Sequence, residues 1–482
     1  MLRLYDTRLR AVVPITPGQP GALSMYACGP TVYRDAHLGN LRTFLLPDLI
    51  RRIAEHSGLA VTVVQNITDV GHMLDDTGLG GDGVGADAGQ QGEDRLLRAA
   101  GAAGNALAIA RAFEDSYHRD CDALGITRPT VSPRASESID SMVNVIEQLL
   151  HSGHAYVGAD GSVFFDALSF ASYGAISGNR LEALRPGHRF EGTTDPNKRF
   201  HADWALWKAA PATRTQLVWE TPFGRGFPGW HIECTAMLLS HLGDSVDIHT
   251  GGIDLRFPHH EDERAQTESV VGHEVVKHWV HAEHLLFEGR KMSKSAGNVV
   301  LMSDVIARGY DPRAVRLAFL EQHYRTQVDL SWDSISAADR MLRRWRELIS
   351  SVVGSTDFST TINHSDVATY VREVADAYAD DLDTAAGIRI LRTLERSSHS
   401  LEIKAATLLA CEPLLGLGLD TVPDQDTGYG LVPSEIQALL DERANARMQR
   451  NWTASDELRD ALSAQGWLVT DTADGQVLKR VR

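Results

Sequence analysis

His37-Leu38-Gly39-Asn40 lies between an apolar run, Leu23 to Cys28, and an amphipathic run, Leu41 to Ile53. A second apolar run, Ala60 to Asn66, follows, so residues 21–70 read as strand, helix and strand, an order that favours a parallel sheet. The HLGN stretch falls at the turn from strand to helix, where backbone N–H groups and the helix dipole favour phosphate. We therefore predict an α/β fold with an anion-binding turn near the start of the chain.

The composition is that of an ordinary globular protein, with 482 residues of which 43% are hydrophobic and 23% charged. A chain of this length needs several domains. Its four cysteines are scattered, and its first residues lack the layout of a signal peptide, which favours a reduced, cytoplasmic protein. No apolar run approaches the roughly 20 residues of a membrane span, so we expect no membrane association. The net charge of −17 argues against indiscriminate binding to nucleic acid but leaves local basic patches open.

A second short stretch, Lys291-Met292-Ser293-Lys294-Ser295, places two lysines on a polar loop far along the chain. Charge-assisted donors of this kind can follow the negative charge that develops on a reacting triphosphate. Taken alone, a short loop of lysine and serine is usually solvated surface. The stretch gains meaning only together with the HLGN turn.

The third pattern contains metal-ligand residue types. Cys28 and Cys234 are far apart in sequence, and Phe257-Pro258-His259-His260-Glu261-Asp262-Glu263 places His259 and Glu263 four residues apart, on one face of a helix. Two thiolates, an imidazole and a carboxylate form a plausible zinc set. The alternative is that the cysteines are small buried hydrophobic residues and that the acidic stretch begins a charged helix.

The order of apolar runs indicates a catalytic sheet that is interrupted and then resumes. It resumes at Phe227–Leu242, Ser245–His249 and Val275–Phe287, and the pattern turns helical from Ile335 onward. A Gly/Asp-rich stretch, residues 75–92, is predicted to be a loop. We therefore divide the chain into a Rossmann-type catalytic domain (1–124 and 211–290), a connective insertion (125–210), a connecting domain with the lysine loop (291–334), a helical bundle (335–418) and a small C-terminal unit (431–482).

Together and in this order, the two short stretches resemble the HIGH and KMSKS signatures of class I aminoacyl-tRNA synthetases. Five further stretches closely resemble cysteinyl-tRNA synthetases, namely 26–33 (YACGPTVY), 66–69 (NITD), 229–234 (GWHIEC), 247–255 (DIHTGGIDL) and 257–261 (FPHHE). The resemblance is strongest from Leu2 to about Leu330 and continues more thinly to the end. HLGN differs from the family's commoner HIGH, although Asn40 can still donate a hydrogen bond.

The resemblance implies a class I synthetase catalytic domain split by an insertion, followed by a helical bundle and a small α/β unit. It also implies one Zn²⁺ ion per chain that contacts the sulfur of the substrate. The implied ligands are Cys28, Cys234, His259 and Glu263. Because cysteine and serine are nearly isosteric, shape alone would separate them poorly, whereas zinc prefers a soft thiolate to a hydroxyl.

The remaining site residues also follow from the resemblance. Those of the amino-acid pocket are Thr68, Trp230 and His249. Those that face the phosphates and adenine of ATP are His37, Gly39 and Asn40, and those near the ribose are Gly251, Gly252 and Asp254. Those that neutralise the pyrophosphate, with Mg²⁺ as counterion, are Lys291 and Lys294. Without the family, Thr68 reads as a strand-end cap, Trp230 as a core aromatic residue and His249 as a buried core histidine.

The activity implied is that of a cysteine–tRNA ligase, with ATP, L-cysteine and tRNA(Cys) as partners and a monomer as the active form. The carboxylate of cysteine would attack the α-phosphorus of ATP, and the adenylate would then acylate tRNA. The helical bundle and the C-terminal unit would contact the tRNA. Three alternatives remain open: a cysteine ligase of mycothiol type with an amino-sugar acceptor, a synthetase paralogue for a specialised pathway, and a non-catalytic tRNA- or amino-acid-binding regulator.

Two groups of arginines have two readings from sequence. Arg340, Arg343, Arg344 and Arg346 follow one predicted helix, and Arg443, Arg447 and Arg450 recur at helical spacing near the end. Each group is either a tRNA contact or a solvated helical face.

Overall fold

The structure is a computed structural model. It describes residues 1–70, 94–101, 104–183, 195–292, 298–353, 361, 363–420, 434–448, 451–465, 467–472 and 475–480. The loop predicted over residues 75–92 lies outside the described residues, as do Lys294 and Arg450. No described helix is both long enough and apolar enough to cross a membrane.

The described strands are β1 (Arg3–Asp6), β2 (Ala11–Pro14), β3 (Ala22–Ala27), β4 (Ala60–Gln65), β5 (Ala155–Val157), β6 (Val163–Phe165), β7 (Trp204–Ala209), β8 (Trp219–Thr221), β9 (Gly224–Pro228), β10 (Val246–Gly252), β11 (Val276–Ala282), β12 (Leu285–Phe287), β13 (Arg290–Lys291), β14 (Val328–Leu330), β15 (Trp467–Thr472) and β16 (Gly475–Arg480). The described α-helices are α1 (Leu38–His56), α2 (Arg95–Ala100), α3 (Ala106–Leu124), α4 (Ile139–His151), α5 (Trp230–Leu242), α6 (His259–Val271), α7 (Met302–Ala307), α8 (Pro312–Leu320), α9 (Trp332–Val352), α10 (Ser365–Ala379), α11 (Thr384–Arg396), α12 (Leu401–Leu415), α13 (Ser434–Met448) and α14 (Trp452–Ala464).

A four-stranded parallel sheet with the order β11-β10-β3-β4 forms the centre of the catalytic part. The predicted strand–helix–strand unit is confirmed, since β3 and β4 pair in parallel from Ala22 with Ala60 to Ala27 with Gln65. Helix α1 begins at Leu38, earlier than the amphipathic run indicated, because His37 and Asn40 form a reciprocal cap at its first turn. The HLGN turn therefore lies at the carboxyl edge of this sheet, where α/β folds bind ligands.

A second sheet is antiparallel, has five strands and has the order β5-β6-β7-β9-β8. Strands β8 and β9 belong to it although they follow residue 210, so its strand pairing extends past the predicted end of the insertion. The prediction that 227–242 returns to the catalytic sheet is wrong. Its first residues complete β9 and the rest forms helix α5, which begins after Gly229 and is apolar on several faces. A buried helix of this kind cannot be told from a strand by hydrophobicity alone.

The predicted helical region is confirmed by α9 to α12, which share one hydrophobic core with the catalytic part. The short sheet β13-β12-β14 lies between the catalytic part and the helical region along the chain, and its strand β13 contains Lys291. The C-terminal unit consists of α13, α14 and the predicted hairpin of β15 and β16. Its buried residues form a separate small cluster around Ile436, Leu462 and Trp467.

Candidate active site and metal centre

A cavity of about 180 Å³ opens at the carboxyl ends of β3 and β4. Residues from the loop after each strand line it together with residues from the first turns of α5 and α6. Eight of the predicted site residues line this cavity, namely Cys28, Asn40, Thr68, Trp230, Cys234, Gly252, Asp254 and His259. Residues that are far apart in sequence thus share one concave surface.

All four predicted zinc ligands meet at one side of the cavity. Ligand atoms of Cys28, Cys234, His259 and Glu263 all lie within 4.8 Å of one another, and all four residues are buried. Nε2 of His259 is 2.7 Å from Oε1 of Glu263, and Sγ of Cys28 is 3.6 Å from the same oxygen. A buried cluster of two thiols, an imidazole and a carboxylate has the donor set of a metal centre.

A second group meets the same geometric test and shares two members with the first. It consists of Cys28, His249, His260 and Glu263. Nε2 of His260 and Nε2 of His249 lie 3.3 Å and 3.5 Å from the sulfur of Cys28. Sequence reasoning did not single out His260, whose position between His259 and Glu263 in the stretch 257–263 was the available signal.

The charges in the first group favour a cation. Burial raises the pKa of the Cys28 thiol well above its ordinary value, and Cys234 and Glu263 act in the same direction. Burial alone would lower the pKa of His259, but the charge of Glu263 and the thiol of Cys234 outweigh it and raise the pKa to about 10. Three groups that can ionise to anions, Cys28, Cys234 and Glu263, therefore lie close together, and a cation bound there would stabilise their ionised forms.

The pKa values of the two histidines in the second group, and of the neighbouring His281, shift in the opposite direction to that of His259. Burial lowers the pKa of His249 to about 4 and that of His281 to about 3, and it lowers the pKa of His260 well below the ordinary value. Nδ1 of His260 lies 2.8 Å from Nε2 of His281, whose Nδ1 lies 2.7 Å from the hydroxyl of Thr7. These imidazoles are neutral at neutral pH and are fixed by one another.

A separate set of contacts supports His259 from behind. Nδ1 of His259 is 2.8 Å from Nδ1 of His231, and Nε2 of His231 is 3.3 Å from Oδ2 of Asp262. The hydroxyl of Tyr173, from the segment after β6, donates to Oδ1 of Asp262 at 2.5 Å. None of the three supporting residues was predicted from the sequence. Tyr173 and His231 are far from His259 along the chain, and Asp262 does not have the four-residue spacing from His259 that marked Glu263.

Thr68 and Trp230, which were predicted for the amino-acid pocket, both line the larger cavity. The indole of Trp230 stacks on the ring of His259 with centroids 4.3 Å apart. Thr68 is held by Asn66, whose amide nitrogen donates to the Thr68 hydroxyl at 3.0 Å and whose amide oxygen accepts from the N–H of Gly29 at 2.8 Å. A Cβ on Gly29 would lie 1.7 Å from the carbonyl oxygen of Asn66, so the two strand ends need glycine there.

A smaller cavity of about 60 Å³ lies beside the first. Among its lining residues are the predicted ATP residues His37, Gly39, Asn40, Asp254 and Lys291. Nδ1 of His37 accepts from the N–H of Asn40 at 3.2 Å, so this ring also caps helix α1. The two cavities share Asn40 and Asp254, which brings the predicted amino-acid and nucleotide positions into contact.

The predicted residues His249 and Glu263 line neither described cavity, and the same is true of Gly251. A Cβ on Gly251 would lie 2.7 Å from the ring of His260, so this glycine allows close packing against the histidine group. Gly252 does line the larger cavity, where a Cβ would lie 2.4 Å from a carboxylate oxygen of Asp254.

The arginines of α9 are largely engaged within the protein. Arg343 pairs with Asp339 at 2.5 Å, Arg344 pairs with Glu395 at 3.1 Å, and Arg346 pairs with Asp311. Neither of the two readings of this run included intramolecular pairing, which the structure shows for these three side chains. In the C-terminal unit, the guanidinium of Arg447 lies 5.6 Å from the ring centroid of Trp452.

Comparison with known proteins defines the class. Residues 14–340 match the model of the class I (C) tRNA synthetase catalytic domain. The chain is also similar to the structure of Mycobacterium tuberculosis methionyl-tRNA synthetase in complex with methionyl-adenylate, with a TM-score of 0.54 and 16% identity over 90% of this chain and 96% of that one. A ternary complex of Agrobacterium radiobacter LeuRS with tRNA and LeuAMS gives a TM-score of 0.58 at 11% identity, over 83% of this chain and 84% of that one. The fold and site define a class I aminoacyl-tRNA synthetase.

Curated relatives narrow the class. A cysteine–tRNA ligase of Thermus thermophilus is 38% identical over 98% of both chains. Cysteine–tRNA ligase 1 of Burkholderia lata is 39% identical over 99% of this chain and 96% of its own length. Residues 430–477 match the cysteinyl-tRNA ligase anticodon binding domain. The chain belongs to the cysteine–tRNA ligase family, as its sequence motifs predicted.

Proposed function

We propose that this chain activates L-cysteine with ATP at the paired cavities and transfers it to tRNA(Cys), using a zinc ion to select the substrate. The observation that carries the proposal is the position of the buried cluster of Cys28, Cys234, His259 and Glu263 at the wall of the larger cavity. The cluster borders the cavity proposed for the amino acid, and the HLGN turn borders the cavity proposed for ATP. The two adjacent cavities could therefore hold both substrates of the activation step.

The donor set fits zinc better than a hard cation. Thiolate and imidazole ligands favour Zn²⁺, whereas Mg²⁺ and Ca²⁺ require oxygen ligands. A bound zinc ion would supply a preference for a thiolate over a hydroxyl and would lower the pKa of a thiol. Cys28, Cys234, His259 and Glu263 would hold this ion, and Trp230, stacked on His259, would close the pocket to substrates larger than cysteine.

The residues of the smaller cavity support the nucleotide part of the proposal. His37 and Asn40 at the first turn of α1 would face the phosphates, where the helix N-terminus adds favourable charge. Gly39 would leave room for the base, Lys291 and Lys294 would stabilise the charge that develops on pyrophosphate, and Mg²⁺ would accompany ATP. The chain would supply position and charge, and no side chain would act as nucleophile.

Three further expectations belong to the proposal. The match of residues 430–477 to an anticodon-binding domain favours tRNA as acceptor over an amino sugar. The bundle of α9 to α12 would contact the tRNA body. The active form would be a monomer in the cytoplasm, in agreement with the scattered cysteines, none of which pairs in a disulfide.

The test is aminoacylation of purified tRNA(Cys) with labelled cysteine and ATP, with serine as the competing substrate and zinc measured in the same protein. Cysteine-only charging by a protein with one zinc per chain is the expected result. Cysteine-dependent exchange of ATP with pyrophosphate but no charging would instead favour the amino-sugar acceptor or a specialised pathway. Absence of exchange from zinc-replete protein would favour a non-catalytic regulator.

A matched pair of variants on helix α6 isolates the metal. Glu263→Gln removes a carboxylate whose oxygens point into the cluster, whereas Glu268→Gln changes a carboxylate that pairs with Arg264 at 3.0 Å on the same helix. We expect Glu263→Gln to lose zinc and the preference for cysteine and Glu268→Gln to keep both. Equal zinc content in the two variants would contradict the ligand assignment.

A further inference from the structure

Arg42 is a buried arginine on the helix that begins with the HLGN turn. It lies in α1, two residues after Asn40, and only 5% of its surface is exposed. In the described part of the chain its two Nη atoms lie within hydrogen-bond distance of five acceptors, all of them backbone carbonyl oxygens. The two Nη atoms carry four hydrogens, so two of the acceptors share one. Burial lowers its pKa to about 10, with Glu283 acting in the opposite direction, so the side chain is charged at neutral pH.

The five carbonyl oxygens belong to two separate segments. Nη1 donates to Glu283 at 2.5 Å and to His284 at 3.1 Å, both in the turn between β11 and β12. Nη2 donates to His323, Tyr324 and Thr326, which precede β14, at 3.1, 3.4 and 2.8 Å. Strands β12 and β14 pair with each other, so one guanidinium holds the bases of two adjacent strands against α1.

These contacts bear directly on the smaller cavity. Glu283 and His284 line it on one side, and His37, Gly39 and Asn40 line it on the other. The strand after Glu283 and His284 is β12, whose Leu286 pairs with Lys291 on β13. The separation between the HLGN turn and Lys291 therefore depends on how closely β12 is held to α1. A Cβ on Gly39 would lie 3.0 Å from Met292, which shows how close this approach is.

A charged group is costly to bury, and within the described part of the chain no salt bridge joins the Arg42 guanidinium to a carboxylate, although the charge of Glu283 acts on it. Its planar fork provides donors in fixed directions, which suits several carbonyls at once, whereas a lysine ammonium provides three donors at one point. A role in packing alone would be met by an apolar side chain of similar length. The arrangement is instead that of a residue kept for the geometry it imposes.

We propose that Arg42 is a positioning residue for the activation reaction, which sets the distance between the HLGN turn and the strand pair that carries Lys291. The proposal rests on the proposed use of this cavity for ATP. A misplacement of about 1 Å between groups that contact a reacting substrate can cost about 100-fold in rate. Loss of the hydrogen bonds from Arg42 should therefore change the kinetic parameters for ATP. The parameters for cysteine should stay nearly unchanged, because Thr68 and Trp230, which are proposed to contact cysteine, lie on other elements.

The experiment measures cysteine-dependent exchange of ATP with pyrophosphate by zinc-loaded, full-length Arg42→Lys and Arg42→Met proteins. The control is Arg316→Lys, because Arg316 is also buried and also donates to carbonyl oxygens, those of Leu415 and Gly125, although unlike Arg42 it pairs with a carboxylate, that of Asp48. We expect Arg42→Lys to raise KM for ATP or lower kcat by about 10-fold, with KM for cysteine within about 2-fold, and Arg42→Met to be worse. Arg316→Lys should lower the melting temperature without changing KM for ATP.

Several results would overturn the assignment. Equal changes in both substrates' KM values for Arg42→Lys, or the same ATP effect from Arg316→Lys, would make Arg42 a structural residue only. The same conclusion would follow if Arg42→Lys failed to fold while Arg316→Lys folded. A failure of the proposed ATP site is distinguishable, because His37→Ala would then leave KM for ATP unchanged in an otherwise wild-type chain.

Discussion

Asp262 determines which nitrogen of a proposed metal ligand is free. Oδ2 of Asp262 lies 3.3 Å from Nε2 of His231, and a proton on that nitrogen would leave Nδ1 of His231 as an acceptor for the Nδ1–H of His259, 2.8 Å away. When a metal displaces the proton from Nε2 of His259, which faces Glu263, this arrangement would keep the other proton on Nδ1 and leave the Nε2 lone pair for the metal. The side chain at position 262 thus influences the metal cluster indirectly, through the rings of His231 and His259.

This order of donors gives a prediction at the residue scale. Asp262→Asn can donate to His231 and favour the opposite tautomer, so we expect zinc affinity to fall about 10- to 100-fold. The measurement is competition with a chelator in the intact protein. Glu261→Gln is the control, because Glu261 accepts from the N–H groups of Ile176 and Ser177 and pairs with Arg264 on its own helix. Unchanged zinc affinity in Asp262→Asn would remove the tautomer argument.

Helix α1 connects the site to the helical region through one carboxylate. Oδ2 of Asp48 accepts from Arg52 at 2.9 Å and from Arg316 of α8 at 2.7 Å, and Oδ1 accepts from the N–H of Thr127. Arg316 also donates to the carbonyl of Leu415 at the end of α12. Three elements therefore meet at a buried ion group, and a neutral side chain at position 48 would leave the guanidinium without its counter-charge.

We predict that Asp48→Asn destabilises the protein by about 3–5 kcal/mol, the usual cost of removing one partner from a buried pair. Burial alone would raise the pKa of Asp48, but Arg316 and Arg52 outweigh it and lower the pKa from 3.8 to about 2. A depressed pKa stabilises the fold above pH 3.8, and that contribution is lost as pH falls towards about 2. The difference in melting temperature between wild type and variant should therefore narrow over that range.

The control for this prediction is on the same helix. Glu55 pairs with Arg51 at 2.7 Å, with 43% of the Glu55 side chain exposed. Glu55→Gln should cost less than about 1 kcal/mol at neutral pH. If the two variants melted at the same temperature, the ion group at Asp48 would not be the connection that we describe.

At the scale of the whole molecule, the described residues form two hydrophobic cores of very different size. The large core joins the parallel sheet to α9 to α12, whereas the C-terminal unit has its own cluster around Ile436, Leu462 and Trp467. The net charge of −17 makes nonspecific tRNA binding weak, so a dedicated unit for the anticodon side has a clear physical use.

We predict that a chain ending at residue 420 keeps exchange of ATP with pyrophosphate within about 2-fold but charges tRNA(Cys) at least about 10-fold less efficiently, equivalent to about 1.4 kcal/mol of lost binding. Exchange and charging are measured on the same preparation, and charging is repeated at several tRNA concentrations. Loss of exchange together with charging would show that the C-terminal unit supports the catalytic part, contrary to the separation of the two cores.

Much of this protein is determined by short stretches of sequence. The alternation of apolar and amphipathic runs over residues 21–70 is sufficient to predict the parallel unit, because strand and helix periods are local properties. Residue type and spacing make Cys28, Cys234, His259 and Glu263 a plausible metal set but leave open the alternative of buried hydrophobic cysteines, and only the family resemblance selects these four as ligands. The motifs around them identify the family.

The tertiary structure alone decided which residues support those side chains. Asp262 and His231 act on His259 across two helices, Gly251 packs against a histidine ring, and Arg42 bonds to carbonyls more than 200 residues further along the chain. The apolar run 227–242 predicts a return to the sheet and forms mostly a helix. In each case the partner is set by the three-dimensional packing of distant segments. For Arg42 there is a further reason: a backbone carbonyl can accept a hydrogen bond whatever the residue type, so the sequence does not reveal which residue is the acceptor.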